Sequence, residues 1–396
     1  MTDRPTVIFH EVGGKDPIDA ALTARRARAG FGRLDLLLRT RLALGLKATP
    51  APALLFVPLG VLFGPHVLNV LSPSVLAHLD AVVSVALAAL GVFVGLALDI
   101  RSSQDRRLAL AADLESAVTV VIVAAATLFL LRAWQAPVDA PPLAIALALG
   151  ICASASSGGA AEVRGSLYHV LATHIAELDD QIPIVAGGFV IVALSGATLP
   201  QAAWLGGLTV LLGLLVGVAG WLLFERAHDA AERGVFIVGT VVLLGGLTAY
   251  LSLSPLLAGL VAGVFWRLSP GHADRIIRDD LRKIQHPLVL LLLLASGASL
   301  EWSRLAIWLF VPFVLFRVAG KLIGAKLAER LAAPLTPAEL GAYLLPPGVI
   351  GIAFALNVQQ VASPLTGAAI VTAVAAGSLA CELLALIELP GREHES

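Results

Sequence analysis

Residues 173–196, with the sequence THIAELDDQIPIVAGGFVIVALSG, decide the fold of this chain. Asp179 and Asp180 stand side by side in a stretch that otherwise has the composition of a membrane-spanning helix. An ionised aspartate near the centre of a bilayer costs about 2.5–3.5 kcal/mol on insertion scales. Two neighbouring aspartates at that depth therefore predict a path for ions or protons.

The composition of the whole chain is that of a polytopic membrane protein. Of the 396 residues, 58% are hydrophobic and only 14% are charged, whereas soluble domains are about 25% charged. The net charge of −1 and the scattered basic residues give no support for binding nucleic acid. Cys152 and Cys381 lie in apolar segments without a CxxC pattern, so neither a zinc site nor a redox cofactor is predicted.

Twelve segments are long and apolar enough to be membrane spans, since a helical span needs about 20 mainly apolar residues. The sequence therefore predicts an all-α polytopic protein with about 12 transmembrane helices. The segments begin near Ala51, Ala81, Leu108, Pro142, Ala172, Ala202, Gly234, Ser252, His286, Ser303, Gly341 and Pro364.

Basic residues between the spans predict the topology, because cytosolic loops are rich in Lys and Arg. With the basic N-terminus inside, alternate loops hold most of these residues, and the opposite side holds only Arg132 and Arg304. We therefore expect both termini in the cytosol and a multi-pass position in the cell inner (cytoplasmic) membrane. Residues 1–50 are predicted to be a cytosolic basic segment, residues 51–387 the transmembrane domain, and residues 388–396 a cytosolic tail.

The spans form two sets of five, at about 51–197 and 252–387, with two linking spans between them. The first spans of the two sets enter from opposite sides, so a repeat relating the sets is inverted. Inverted repeats are typical of secondary transporters, whose sites lie near the midplane where interrupted helices meet.

The fourth span of each set contains residues that break a helix, and this matched position predicts two crossed broken helices. Glycine and proline pairs release backbone groups that membrane proteins tolerate only where protein or water satisfies them. Such groups can bind a cation. The breaks comprise Ser154, Ser156, Ser157 and Gly158 in the first set, and Pro346, Pro347 and Gly348 in the second.

Lys321 in the tenth span is predicted to reach the depth of the two aspartates. A buried lysine stays charged beside a carboxylate and releases its proton more readily without one, so Lys321 is a candidate proton carrier. Arg317, one turn earlier, competes for the same partner but does not titrate in proteins. The spacing leaves open which of the two pairs with Asp179.

Four further titratable residues are candidates for tuning the site: Glu115, Glu162, His174 and Glu382. A single glutamate near the end of a span is more often simply solvated, and an interfacial histidine often has no role. His174 would respond to pH near neutrality if it lay beside the aspartates.

With these residues in place, the chain resembles the cation:proton antiporter superfamily over about residues 51–387. The most specific element is Asp179-Asp180, which looks like the paired-aspartate signature of the electrogenic, bacterial sodium/proton antiporter-like branch. Weaker support comes from the run Leu59–Pro65, the end of the second span at Gly95–Asp99, the segment Leu253–Gly263 and Leu345–Gly348.

The resemblance implies a core domain, about 108–197 and 303–387, that moves like an elevator against dimerisation spans at about 51–100 and 202–300. It implies that Asp180 binds the monovalent cation and exchanges it for protons, that Asp179 pairs with Lys321, and that the protein is a homodimer. No enzymatic activity is implied. The serines at the first break stand where many sodium-selective members have Thr-Asp, so sodium, lithium and potassium all remain candidates.

Two alternatives to sodium/proton exchange are compatible with the sequence. One is potassium/proton antiport, and the other is a sodium-coupled symporter for an organic anion, which could share an inverted-repeat fold. A symporter would not need an aspartate pair with a matching lysine. An ATP-driven pump is excluded because the chain lacks a GxxxxGK[ST] loop.

Overall fold

The computed structural model describes residues 52–98, 103–135, 138–157, 175, 176, 178–194, 198–269, 273–332 and 340–388. Predictions made for residues 1–50, Gly158, Glu162, His174 and the tail after residue 388 lie outside these ranges. Within them the chain forms thirteen helices, and its only β-type pairing is one isolated bridge between Ser156 and Pro347.

The helices are numbered in chain order. They are α1 (Pro52–Phe63), α2 (Pro73–Ala97), α3 (Ser103–Ala133), α4 (Pro142–Ser154), α5 (Gln181–Leu194), α6 (Leu199–Arg226), α7 (Ala230–Tyr250), α8 (Pro255–Leu268), α9 (Ala273–Ala298), α10 (Arg304–Ala332), α11 (Leu340–Tyr343), α12 (Val349–Val361) and α13 (Pro364–Glu388).

Six of these helices are long and apolar enough to cross a membrane, and six shorter apolar helices of 10–17 residues accompany them. Together they match the twelve predicted spans one to one, with α11 and α12 forming the interrupted eleventh span. The prediction of an all-α polytopic fold with about twelve spans is therefore confirmed.

The predicted start of the second span was wrong. The second span begins at Pro73 rather than near Ala81, because Ser72 caps the helix by accepting a hydrogen bond from the Val75 backbone N–H. The ninth span was predicted correctly: its apolar part starts at Ile284, close to the predicted His286, although the helix itself already begins at Ala273. The charged first turns of this helix contain many good helix formers, so the helix extends ahead of the apolar span.

Glycines allow two helix pairs to cross with their backbones in contact. A Cβ on Gly91 of α2 would lie 2.1 Å from the Leu256 carbonyl oxygen of α8, and one on Gly259 would lie 2.1 Å from the Ala88 carbonyl oxygen. The crossing of α1 and α9 has the same character, because a Cβ on Gly297 would lie 2.1 Å from the Val57 carbonyl oxygen. These small-residue contacts are the usual seams between membrane helices.

The two glycine crossings support the predicted repeat. Helices α1 and α8 are the first members of the two sets of five, and α2 and α9 are the second members. A repeat that relates the two sets converts the contact of α1 with α9 into a contact of α8 with α2. Both contacts are present. Helices α3 and α10, the third members, pack against each other.

Exposed tryptophan and tyrosine side chains lie at one end of the spans, and most of the basic side chains lie at the other. Alternating helix direction places five exposed aromatic residues at one end, which we call the aromatic end: Trp134, Trp204, Tyr250, Trp302 and Trp308. The other end, called the basic end, holds Arg107, Arg226, Arg233, Arg267 and Arg330. Tryptophan and tyrosine favour the membrane interface, and positive charge favours the cytosolic side.

The glycine crossings generate a stability prediction. Gly91→Ala should lower the free energy of unfolding by about 1–3 kcal/mol, because the new methyl group meets backbone atoms that cannot rotate away. Thermal unfolding in detergent measures this loss. The matched control is Gly246→Ala in α7, where a Cβ meets nothing within 4 Å. Equal melting temperatures for the two variants would contradict the close crossing.

Candidate functional site

The site lies where two interrupted helices cross. Helix α4 ends at Ser154, while the other broken helix stops at Tyr343 and resumes as α12 at Val349. The two breaks run antiparallel: the Ser157 N–H donates to the Pro346 carbonyl at 2.9 Å, and the Gly348 N–H donates to the Ala155 carbonyl at 3.1 Å. Each break thus satisfies part of the backbone that the other exposes.

Glycine at position 348 is required by the close approach of the two breaks. A Cβ there would lie 2.6 Å from the Ser156 carbonyl oxygen. The two preceding prolines have no backbone N–H to bury and cannot continue a helix. The sequence Pro346-Pro347-Gly348 therefore both ends the helix and admits the partner chain segment.

Helix α10 supplies two positive charges to the carbonyls that the breaks leave free. The Arg317 guanidinium donates to the Ala153 carbonyl and, at 3.3 Å, to the Leu345 carbonyl. One turn later, the Lys321 ammonium donates to the Ser154 carbonyl. The last carbonyls of a helix carry its partial negative charge, so cations stabilise these ends.

Lys321 also pairs with two carboxylates. Its Nζ lies 2.9 Å from Oε2 of Glu115 on α3 and 3.2 Å from Oδ2 of Asp179. The Thr119 hydroxyl donates to Oε1 of Glu115 at 2.9 Å. The side chains of Lys321, Glu115 and Asp179 are all 0% exposed. We call these three side chains the lysine cluster.

The two adjacent aspartates have different surroundings. Asp179 is fully buried, and its Oδ1 accepts a hydrogen bond from the Ser156 backbone N–H at 3.3 Å. Asp180 is half-buried, and its carbonyl accepts from the Ile184 N–H as α5 begins. The pair therefore presents one fully buried side chain, which contacts Ser156 and Lys321, beside one that is only half-buried.

The structure separates the two candidate partners of Asp179. Lys321 lies within hydrogen-bonding distance of it, whereas the hydrogen bonds described for Arg317 go to the carbonyls of the two breaks. Glu382 on α13 is 5% exposed, and its charge interacts with that of Arg317. Arg317 thus belongs to the helix crossing, and Lys321 belongs to both the crossing and the aspartates.

Two acidic residues matter more than the sequence indicated. Glu115 is not a solvated side chain at a span end but a direct partner of Lys321. Asp113, not singled out from the sequence, is half-buried on the same helix and interacts electrostatically with Asp179. The sequence signal that could have indicated Glu115 lay on the facing helix, where Gly320 and Gly324 allow close contact with Thr119 and Glu115.

The described residues at the crossing offer mainly oxygen atoms as possible ligands. No group of three or more His, Cys, Asp or Glu side chains able to hold a metal occurs among the described residues. Oxygen atoms dominate instead, and hard cations prefer oxygen. The buried Ser156 hydroxyl has no hydrogen-bond partner in the part of the chain that the structure describes, which leaves it able to act as a ligand.

Comparison with solved structures identifies the class of fold. The chain is similar to the sodium proton antiporter MjNhaP1 from Methanocaldococcus jannaschii, with a TM-score of 0.60 and 14% sequence identity. The similarity covers 86% of this chain and 92% of that protein. No protein-family model matches the sequence, and no curated protein matches it either. The chain therefore has a cation:proton antiporter-like fold.

The bridging role of Arg317 generates a second prediction. Arg317→Lys keeps the charge, but a single ammonium cannot span the Ala153 and Leu345 carbonyls as the planar guanidinium does. We expect a loss of about 1–3 kcal/mol of stability, because one buried carbonyl loses its donor. Thermal unfolding in detergent tests this. Unchanged stability of Arg317→Lys would show that the bridge does not hold the crossing together.

Proposed function

We propose that the protein is a secondary active monovalent cation/proton antiporter that carries sodium. The observation that carries this proposal is the pair Asp179-Asp180 at the crossing of two broken helices, with one aspartate paired to a buried lysine. The antiporter-like fold supports the same conclusion. The function is transport across the bilayer rather than catalysis.

Competition at Asp180 is sufficient to couple the two gradients. Protonated Asp180 has lost the charge that attracts a cation, and a bound cation keeps the carboxylate ionised. A site that faces one side at a time then carries either a proton or a cation in each half-cycle. Asp179 supplies a second carboxylate at the site when the cation draws it from Lys321.

We propose that exchange is electrogenic, with more protons than cations moved in each cycle. This requires a second titrating site beside Asp180, and the lysine cluster supplies one because it has two carboxylates for one ammonium. Lys321 was the proton carrier expected from the sequence; within this cluster Asp179 can carry the second proton instead, with Lys321 remaining an ammonium.

We propose alternating access by an elevator motion of the core, residues 108–197 and 303–387, against the remaining spans. Hydrogen bonds between these parts would have to break in each cycle. The Gln360 amide of α12 donates to the Asp80 carbonyl of α2 at 3.0 Å, and the Ser84 hydroxyl donates to Gln360 at 3.2 Å. Asn357 of α12 donates to Ser254 at 3.1 Å.

The remaining assignments follow from membrane physics and from the resemblance. We propose that the basic end faces the cytosol, as the positive-inside rule predicts, and that the protein lies in the cell inner membrane. We also propose a homodimer formed through the spans outside the core. Potassium/proton exchange and sodium-coupled symport of an organic anion remain the alternatives that transport measurements decide.

Transport in proteoliposomes tests the function. Vesicles that contain a pH dye should show cation-dependent proton movement with wild-type protein, and Asp180→Asn should abolish it because the exchanging carboxylate is gone. Titrating sodium, lithium and potassium separately identifies the ion, and an imposed membrane potential should change the rate if exchange is electrogenic. A folded wild-type protein that moves no protons with any cation would favour the symporter.

A cross-link tests the elevator motion. Ser84→Cys with Gln360→Cys places two thiols on opposite sides of the proposed moving boundary, and the native cysteines 152 and 381 are buried. A short bifunctional thiol reagent should stop transport, and a cleavable version of it should permit recovery. Each single cysteine variant is the control. Full transport by demonstrably cross-linked protein would contradict the elevator.

A further inference from the structure

We infer that Glu115 is a positioning residue for cation exchange: it holds Lys321 in place while Asp179 leaves Lys321 for the cation. The inference rests on the proposed function and deepens it. The three acceptors of the Lys321 ammonium come from different elements, namely Glu115 in α3, the Ser154 carbonyl in α4 and Asp179 before α5.

Glu115 is built to remain bound to Lys321. Its two carboxyl oxygens accept different hydrogen bonds, one from Lys321 Nζ and one from the Thr119 hydroxyl. Both carboxyl oxygens of Glu115 are thus held by protein groups. Thr119 lies one turn further along the same helix and is itself 0% exposed. Its hydroxyl holds the carboxyl oxygen that does not contact Lys321.

The backbone around this contact is also fixed. A Cβ on Gly324 of α10 would lie 2.9 Å from the Glu115 carbonyl oxygen, and one on Gly320 would lie 3.0 Å from Thr119 Cα. Helices α3 and α10 therefore meet backbone to backbone on both sides of Lys321. The Glu115–Lys321 pair joins two tightly packed helices, whereas Asp179 lies in the turn between the helical residue Leu178 and α5.

This arrangement determines what happens when Asp179 turns to a cation. Without Glu115, Asp179 would be the only carboxylate paired with Lys321. The full attraction between Lys321 and Asp179 would then oppose the release of Asp179. With Glu115 present, the ammonium keeps a charged partner after Asp179 has left. An ammonium left without any charged partner in a buried site is strongly destabilised. Glu115 thus lowers the cost of releasing Asp179 and so strengthens cation binding.

The test is the sodium dependence of transport by Glu115→Gln in proteoliposomes at a fixed alkaline pH. The amide keeps the size of the side chain and removes its charge, so Lys321 should bind Asp179 more tightly. We expect the apparent KM for sodium to rise roughly tenfold, within the range of coupling between linked sites. Glu115→Asp should restore most of the affinity. Glu301→Gln, an exposed glutamate between α9 and α10, should leave the KM unchanged.

Two further variants separate positioning from a merely structural role. In a Lys321→Gln background, adding Glu115→Gln should not raise the KM further, because Glu115 acts through Lys321. Thr119→Val should raise the KM in the same direction by a smaller factor, and it keeps the test open if Glu115→Gln does not fold.

The failures are distinguishable. If wild-type protein exchanges sodium for protons and Glu115→Gln lowers only the maximal rate, the inference is overturned and the proposed function stands. Equal KM increases with and without Lys321 would also overturn it. If the wild-type protein exchanges no cation for protons, the proposed function itself fails.

Discussion

The structure around the site depends on the hydrogen bonds and ion pairs that the Lys321 ammonium makes. Two helices are interrupted at the same place, and within a bilayer their free carbonyls have no water to satisfy them. Lys321 and Arg317, one turn apart on α10, donate to carbonyls of both breaks. The same ammonium joins two buried carboxylates. The helix breaks and the buried cations therefore depend on each other. The breaks supply carbonyl acceptors for the two cations, and the cations supply the donors that these carbonyls need.

The rest of the fold brings α10 to this position. Glycines on α10 admit the backbone of α3, which carries Glu115, and glycines at the crossings of α1 with α9 and α2 with α8 allow equally close contact elsewhere. Close backbone contact allows membrane helices to associate where no hydrophobic effect drives them together. The small residues thus determine how the helices pack, and the packing of the helices determines where the charged side chains lie.

The sequence predicted the helical fold well because its signals are strong and local. Runs of apolar residues gave the twelve spans, and Pro346-Pro347-Gly348 together with the serine-rich break gave the interrupted helices. The start of α2 was misplaced because its first turns carry His78 and Asp80 and lie before the most apolar part of the span. The capping serine at position 72 was the signal that marked the true start.

The site was predictable only in part, because its contacts join distant segments. Helical depth brought Lys321 to the level of the aspartates, but it could not decide between Lys321 and Arg317, since both are on one face of α10. Nor could it show that Glu115, 206 residues from Lys321 in sequence, is its partner at 2.9 Å. That contact depends on how α3 and α10 cross, which the glycine spacing suggests and only the structure specifies.

The central claim is that cation and proton compete for Asp180, and proton release on cation binding tests it most directly. Purified protein in weakly buffered detergent solution would be titrated with sodium while the pH is recorded, beside Asp180→Asn of equal stability. The account predicts that sodium releases protons from the wild-type protein in proportion to binding and releases none through Asp180 in the variant. Sodium binding without proton release by the wild type, or equal release by both proteins, would contradict it.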